Sequence, residues 1–353
     1  MRVVTAALGV LVIALAQACG TSDSGSGSGS GSNQPVTLTF LSFGGALLDA
    51  EQKAWLEPFQ KAHPNIKIVI DQPTDYAKVK AAVQANNVPW DVIDVSEDFG
   101  LKAQEPILEK IDCQVVPCSD LQSKLFPTTG YRVATSQWAT ALAYNTDAYG
   151  SGAAPQSWAD FFDLKKFPGK RGVYKDPGGG FLEMALLADG VDAAHLYPLN
   201  VDRAFKKWDT IKSQIVWWDT GAQSTQLLRD KEVTMCNCWN GRTWAAQKQG
   251  AHIAITWNGN ISAGNYSVVP KGTKHRTEAM QLLAYITSPD HNADLAKYIS
   301  YGPTNIKAIS KVDSAIKNDL PSTYKSQGVT IDDFWVDSNR ANLEKRFQEW
   351  VQS

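Results

Sequence analysis

The sequence predicts an α/β protein whose folded part divides into two lobes. Segments typical of β-strands alternate with segments typical of helices, which is the pattern of parallel sheets covered by helices. The chain after residue 35 has about 320 residues, more than one hydrophobic core usually supports. Several predicted strands end in glycine and polar residues, where open α/β sheets place ligands. We therefore expect two α/β lobes that face each other across a cleft.

The N-terminal segment has the features of a secretory signal followed by a flexible tether. Residues 1–18 hold one early charge, Arg2, then an apolar run too short to span a bilayer, and small residues before Cys19. Cys19 stands where a bacterial lipoprotein carries its lipid, and residues 19–35 then supply a Gly/Ser-rich tether. The alternative is a plain secreted protein in which Cys19 is incidental.

The composition excludes several classes of partner. The net charge is −2, without a basic stripe or charge block, so we do not expect a nucleic acid partner. No later apolar run approaches the ~20 residues of a membrane span, which leaves the lipid anchor as the only membrane contact. The composition is unusual in its 12 tryptophans, and such a surplus suits a ligand site with aromatic walls.

Four cysteines remain beyond Cys19, as in proteins of oxidising compartments. Cys113 and Cys118 can close a small loop, and we favour that pair among the three possible pairings. Bridging Cys236 and Cys238 within one alternating strand would strain its geometry, so their state is left open. The five histidines show no ligand spacing for zinc, and no metal or cofactor is expected.

The elements follow one another in a regular order. The first lobe begins with a strand at 36–42, a helix at 47–62, a strand at 66–71, a helix at 76–86 and a strand at 91–95. An apolar strand at 138–145 then leads to a Gly/Pro-rich stretch at 150–155. The second series comprises strands at 173–176, 215–218, 233–238 and 253–257, and helices at 181–188, 201–213, 222–229 and 240–249. Residues 266–270 carry the chain back, before helices at 278–287, 290–299 and 339–351.

This order suggests how the chain divides. We assign residues 36–140 and 268–305 to lobe 1 and residues 141–267 to lobe 2. Residues 306–353 are expected to form a C-terminal helical segment that packs on the lobes.

Residues after the first strand of each lobe are candidates for the cleft. Phe43, Gly44 and Gly45 follow the strand at 36–42, where glycine permits close backbone approach and helix-start N–H groups can hold an anion or a carbonyl. Asp176 and the glycines after it form a similar helix start in the second lobe. An ordinary βα turn explains both segments equally well.

Acidic residues follow two further strands. Ser96, Glu97 and Asp98 come after the strand at 91–95 and either hold an ammonium group or cap the next helix. Asp219 follows two tryptophans, a combination that suits a cationic amine, although Asp219 can also be an N-cap.

The strongest constellation follows the strand at 233–238. Trp239 offers a stacking wall, Asn240 can donate or accept, and Arg242 offers a bidentate fork for a carboxylate. Arg242 could instead extend to solvent from a surface helix. We also place Trp138 and Tyr301 at the cleft, although turn chemistry alone explains the Gly-Pro sequence that follows Tyr301.

These motifs resemble the extracellular solute-binding proteins of ABC importers, in particular the bacterial polyamine-binding group. The matching stretches are residues 36–45, 90–98, 138–145, 235–242, 266–272 and 301–305. The resemblance implies a two-lobed type II periplasmic-binding fold with a hinge, an inter-lobe cleft and delivery of the ligand to a membrane permease. It puts ligand contacts at Phe43, Ser96, Asp98, Trp239 and Tyr301.

The chain departs from the polyamine pattern in its charges. It has Pro177 and glycines where polyamine binders carry acids, and Ala263 and Asn265 where they carry a tryptophan and an aspartate. Arg242 penalises a dication and favours a carboxylate. Strict spermidine or putrescine specificity is therefore in doubt, and a zwitterion such as a γ-amino acid fits the charges better. Its amine would lie near Asp98 or Asp219 and its acid near Arg242.

We expect a monomeric, extracytoplasmic binding lipoprotein and no catalysis. The sequence has no Gly-x-Ser-x-Gly or His-Glu-x-x-His motif, and no histidine neighbours a convincing nucleophile. Its partners would be a small amine or amino-acid-like ligand and an ABC permease. The alternative is a sensor or adhesive lipoprotein that binds a protein partner, which a large exposed apolar patch would support.

Overall fold

One mixed sheet of ten strands runs through the part of the chain that the computed structural model describes, residues 35–121, 125–149 and 153–353. The predicted signal, Cys19 and almost all of the tether lie outside these residues. The strands are β1 (Val36–Leu41), β2 (Ile66–Asp71), β3 (Val92–Val95), β4 (Val133–Asn145), β5 (Arg171–Tyr174), β6 (Ile215–Trp218), β7 (Met235–Trp239), β8 (Ile253–Val268), β9 (Gly302–Pro303) and β10 (Val329–Thr330).

Helices cover the sheet and connect most of its strands. They are α1 (Gly45–Glu51), α2 (Glu57–Ala62), α3 (Tyr76–Gln84), α4 (Trp158–Phe162), α5 (Phe181–Ala188), α6 (Val201–Asp209), α7 (Gly221–Arg229), α8 (Asn240–Lys248), α9 (Arg276–Thr287), α10 (Pro289–Asp294) and α11 (Asp333–Gln352). A π-helical turn, Gln52–Leu56, joins α1 to α2. None of these helices combines the length and apolar character needed to cross a bilayer.

The two outer parts of the sheet are parallel, as the strand–helix alternation predicts. The strand order is β2-β1-β3-β8-β4-β7-β5-β6, with β9 added to β4 and β10 added to β8. In the first part β1 pairs in parallel with β2 and β3. In the second part β5 pairs in parallel with β6 and β7. The predicted bounds of β2, β6 and α5 coincide with those in the structure.

Two long antiparallel strands, β4 and β8, join these parts. The carboxyl end of β8 pairs with β3, and the carboxyl half of β4 pairs with β7. Thr140 faces Ile261 while Leu142 faces Thr256, so residues 257–260 bulge out opposite a single residue of β4. The sequence predicts a strand at 253–257 only, whereas β8 continues to Val268, because residues 261–267 also pair with β4.

Both cysteine pairs are bonded. The predicted Cys113–Cys118 disulfide is confirmed, with an S–S distance of 2.11 Å. Cys236 and Cys238 are also bonded, at 2.16 Å. The sequence left the state of this second pair open; its two Cα atoms are 5.3 Å apart, within the range that disulfides span.

A buried ion pair fixes the start of the C-terminal helix. Arg132 is completely buried, and its Nη2 donates to Asp333 Oδ2 at 2.5 Å. Nη1 of the same guanidinium donates to the carbonyls of Glu97 and Phe99 at 3.0 and 2.9 Å. The Tyr266 hydroxyl donates to Asp333 as well, at 2.5 Å. At its other end α11 packs on the aromatic core of the second part of the sheet.

We expect Asp333→Asn to destabilise the protein by about 3–5 kcal/mol, because it leaves the Arg132 guanidinium buried without its counter-charge. Urea unfolding at pH 7 measures this loss. Asp202→Asn is the matched control. Asp202 is the exposed partner of Arg346, which also lies on α11, and its replacement should lower the stability by less than about 1 kcal/mol. Equal losses in the two variants would contradict the role given to the buried pair.

Candidate functional site

A cleft of about 740 Å³ lies at the carboxyl ends of β1, β3, β5, β6 and β7. Both parts of the sheet, the crossing strands β4 and β8, and helix α11 contribute to its walls. A more open depression of about 610 Å³ lies where β1 and β2 begin, lined by residues such as Val36, Gln60 and Ile66. Parallel α/β sheets bind ligands at the carboxyl ends of their strands, so the first cleft is the candidate site.

Arg242 forms the cationic end of the cleft. It lies in the first turn of α8, and only 9% of its surface is exposed. Its side chain crosses Gly221 at the start of α7, where an added Cβ would come within 2.8 Å of the arginine Cγ. Its Nη2 donates to the Gly44 carbonyl at 3.1 Å, while its Nε has no hydrogen-bond partner among the described residues. Arg242 is therefore a buried cation with an unsatisfied donor.

The acidic end of the cleft contains a second arginine. Asp98 follows β3, Asp176 follows β5, and Arg340 reaches between them from α11. The Arg340 guanidinium donates in bidentate fashion to Asp176, at 2.8 and 2.9 Å, and Nη1 lies 3.3 Å from Asp98 Oδ2. Its Nε donates to Glu344 Oε1 at 2.7 Å. Burial raises the pKa of Asp98, and the charge of Arg340 opposes that rise.

Glu97 lies beneath this acidic end and is 97% buried, with 3% of its surface exposed. One carboxyl oxygen accepts from the Gly179 backbone N–H at 3.2 Å, and the Ser96 hydroxyl donates to the other. Burial, helped by the charge of Asp98, raises the pKa of Glu97 to about 8. Glu97 therefore holds its proton at neutral pH and adds no charge to the cleft.

Aromatic side chains line the space between the two charged ends. Trp138 meets Trp239 edge-to-face at 5.9 Å, and Tyr174 packs against Trp239 at 5.2 Å. The buried indole N–H groups of Trp138 and Trp239 have no acceptor among the described residues. Tyr301 packs beneath α8, where an added Cβ on Gly241 would lie 2.3 Å from its ring. The walls are thus apolar, with two unused donors.

The cleft brings together all but one of the predicted site residues. The residues that line it as predicted are Phe43, Gly44, Gly45, Ser96, Glu97, Asp98, Trp138, Asp219, Trp239, Arg242 and Tyr301. Asn240 does not line it, and that prediction is wrong. Its side chain is buried and accepts from the Ala139 N–H at 2.9 Å while donating to the Ser300 carbonyl at 2.5 Å, so it braces α8 against β4.

The structure also settles two of the alternatives. Thr220 caps α7 in a capping box with Gln223, so Asp219 is not the N-cap and remains an exposed carboxylate at the cleft. Arg242 points inward rather than to solvent.

Sequence reasoning missed several cleft residues, of which Arg340 matters most. Arg340 and Glu344 are spaced as an ordinary pair on an exposed helix, so nothing local indicated a site. The glycines after Asp176 indicate only a helix start, and no local pattern marks Tyr76 or Tyr174. Within residues 35–121, 125–149 and 153–353, His, Cys, Asp and Glu side chains form no group of three or more arranged to hold a metal ion.

The raised pKa of Glu97 predicts a pH-dependent stability. Because the folded-state pKa of about 8 exceeds the ordinary value of 4.5, the folded protein binds the extra proton between these values. The free energy of unfolding should therefore fall as pH rises from about 5 to 8, by up to about 1.4 kcal/mol per pH unit for this group.

Urea unfolding between pH 5 and 8 measures this dependence. Glu97→Gln should make this fall shallower but not abolish it, because the raised pKa values of Asp94, about 7, and Asp333, about 6, contribute in the same direction. Glu57→Gln, on the exposed side of α2, should leave the profile unchanged. Parallel pH profiles for the wild type and Glu97→Gln would show that Glu97 is not protonated in the folded state.

Known proteins match this chain along nearly all of its described length. Residues 54–321 match the model of the bacterial extracellular solute-binding protein family. The γ-aminobutyric acid-binding protein of Pseudomonas aeruginosa is 36% identical over 90% of this chain and 92% of its own. The spermidine/putrescine-binding periplasmic protein of Escherichia coli K12 is 24% identical over 75% of this chain and 77% of its own.

A solved structure agrees in fold. The ABC transporter substrate-binding protein of Bradyrhizobium japonicum is 36% identical, with a TM-score of 0.84 over 90% of this chain and 99% of its own. These matches confirm the predicted two-lobed periplasmic-binding fold with a cleft between the lobes. The chain belongs to the bacterial extracellular solute-binding protein family of ABC transporters.

Proposed function

We propose that the cleft captures a small zwitterionic amino compound of the γ-aminobutyrate class for delivery to an ABC permease. The observation that carries this proposal is Arg242, a buried guanidinium that lines the cleft and whose Nε–H has no hydrogen-bond partner among the described residues. A ligand carboxylate would pair with this guanidinium and neutralise its charge, and a charge-assisted hydrogen bond of this kind is among the strongest in proteins. The γ-aminobutyric acid-binding relative supports the same ligand class.

The ligand amine would lie at the opposite, acidic end of the cleft. Asp98 and Asp176 line that end, and Asp219 adds an exposed carboxylate at the cleft. The rings of Trp138 and Trp239 would cover the methylene groups between the two charged ends. A polyamine fits less well, because its second ammonium group would meet Arg242.

Capture would proceed by closure of two lobes. We assign residues 36–140 and 268–305 to one lobe and 141–267 to the other, so that the chain crosses between them within β4 and β8. The bulge at residues 257–260 lies opposite Ala141, next to the crossing within β4, and offers a place for bending. Closure is favoured only by the contacts that the ligand adds in the closed state. The C-terminal segment 306–353 would pack on both lobes.

The protein would act outside the cytoplasmic membrane as a monomer, anchored by a lipid on Cys19 and without catalytic activity. A cleft with aromatic walls and polar ends favours a small molecule over the alternative of a protein partner.

A thermal-shift screen of the purified protein tests the ligand class. We expect γ-aminobutyrate at ~100 times its Kd to add about 2.7 kcal/mol to the stability of the native state and so raise its Tm by several degrees. Butyrate and butylamine, which each lack one charged group, should produce much smaller shifts. Shifts with putrescine and spermidine but not with γ-aminobutyrate would refute the zwitterion and restore a polyamine.

Substitution of Arg242 tests the carboxylate subsite directly. Arg242→Ala should weaken γ-aminobutyrate binding at least ~30-fold, because the ligand carboxylate loses its charged partner, while diamine binding is spared or improved. Arg242→Lys should recover part of the affinity, since it keeps the charge but not the fork. Isothermal calorimetry measures both, with Arg203→Ala, an exposed partner of Asp189, as the control. Loss of diamine and zwitterion binding alike would remove Arg242 from the carboxylate subsite.

A further inference from the structure

We propose that Arg340 is a built-in cation that limits the acidic end of the cleft to ligands with a single ammonium group. Its guanidinium occupies one of the two cation positions that Asp98 and Asp176 would otherwise offer. This inference rests on the proposed function for the ligand class. It assigns the amine specificity to a residue that lies far from Asp98 and Asp176 in the sequence.

The contacts of Arg340 are those of a resident counter-ion. Two of its nitrogens bind the two oxygens of Asp176, and one of these nitrogens also lies 3.3 Å from Asp98. Its side chain is 21% exposed and lines the cleft, so it is within reach of a bound ligand. A bidentate arginine–carboxylate pair has a fixed geometry that an incoming ammonium group does not readily displace.

The charges around Arg340 leave room for one cation. Among the residues that line this end of the cleft, Asp98 and Asp176 bring two negative charges and Arg340 brings one positive charge, while Glu97 holds its proton at neutral pH. Glu344 also pairs with Arg340 but does not line the cleft. One net negative charge remains, which a single ligand ammonium group neutralises. A second ammonium group would meet a guanidinium at either end of the cleft, since Arg242 lies at the other, and like charges in contact cost several kcal/mol.

Helix α11 is fixed by contacts both before and after Arg340 in the sequence, and these hold Arg340 in place. Asp333, in its first turn, binds the buried Arg132. Near its C-terminus, Phe347 meets Phe181 edge-to-face at 5.1 Å. Glu344, one turn after Arg340, accepts from its Nε. The guanidinium is thus positioned before any ligand arrives and loses little freedom in excluding a second cation.

Calorimetric titration of the purified protein with putrescine and γ-aminobutyrate at pH 7 and constant salt tests this inference. Arg340→Gln should raise the affinity for putrescine at least ~10-fold over the wild type, because both carboxylates become free for the ligand. Arg340→Lys keeps the charge but not the bidentate fork, so its affinity for putrescine should lie between those of the wild type and Arg340→Gln. Arg346→Gln is the matched control, since it makes the same change on α11 at an exposed pair with Asp202.

The double variant Arg340→Gln/Asp98→Asn shows whether the acids cause the gain. It should lose the added putrescine affinity, because one of the two freed carboxylates is gone. An Arg340→Gln protein that folds but binds putrescine no better than the wild type overturns the inference. So does a wild-type protein that binds putrescine as tightly as γ-aminobutyrate.

A second variant keeps the inference testable if Arg340→Gln does not fold. Asp176→Asn leaves Arg340 balanced by Asp98 alone, so it should weaken γ-aminobutyrate binding at least ~10-fold. Unchanged affinity would contradict the charge balance. The inference and the proposed function can fail separately. A wild-type protein that binds no zwitterion refutes the proposed function. A higher affinity of Arg340→Gln for putrescine would still support the role of Arg340.

Discussion

The antiparallel pairing of β4 with β8 is the constraint on which the rest of the structure depends. β8 pairs with β3 of the first half and β4 pairs with β7 of the second, so their pairing with each other joins the two parallel halves in one hydrogen-bonded framework. This framework brings the carboxyl ends of β3, β5 and β7 around one space. Residues that are distant in sequence therefore lie close together at this space because of long-range strand pairing.

Electrostatics then decides what that space can hold. Arg242 lies at one end of the cleft and the cluster of Arg340, Asp98 and Asp176 at the other, so the charges are separated along its length. Arg242 stands apart from the acids, whereas Arg340 is paired with them. An unpaired charge is destabilising in such a buried site. Binding is therefore favoured for a ligand whose charges are opposite to those that the protein leaves unpaired.

The sequence predicted what local patterns determine and missed what tertiary contacts determine. Periodicity placed β2, β6 and α5 at their observed bounds, and strand ends indicated most of the cleft, because both depend on neighbouring residues. Arg340 lies 164 residues from Asp176, and only the packing of α11 across the sheet brings them together. Asn240 was misplaced because an amide after a strand can face either the cleft or the protein interior.

Two glycines beneath the cleft restrict how this binding site can change. Gly221 leaves space for the Arg242 side chain, and Gly241 lets α8 pack onto the ring of Tyr301. Any larger residue at either position would push the arginine or the helix away before it touched a ligand. Libraries that aim to redirect this scaffold to new compounds should therefore diversify the walls and the acidic end, and keep both glycines fixed.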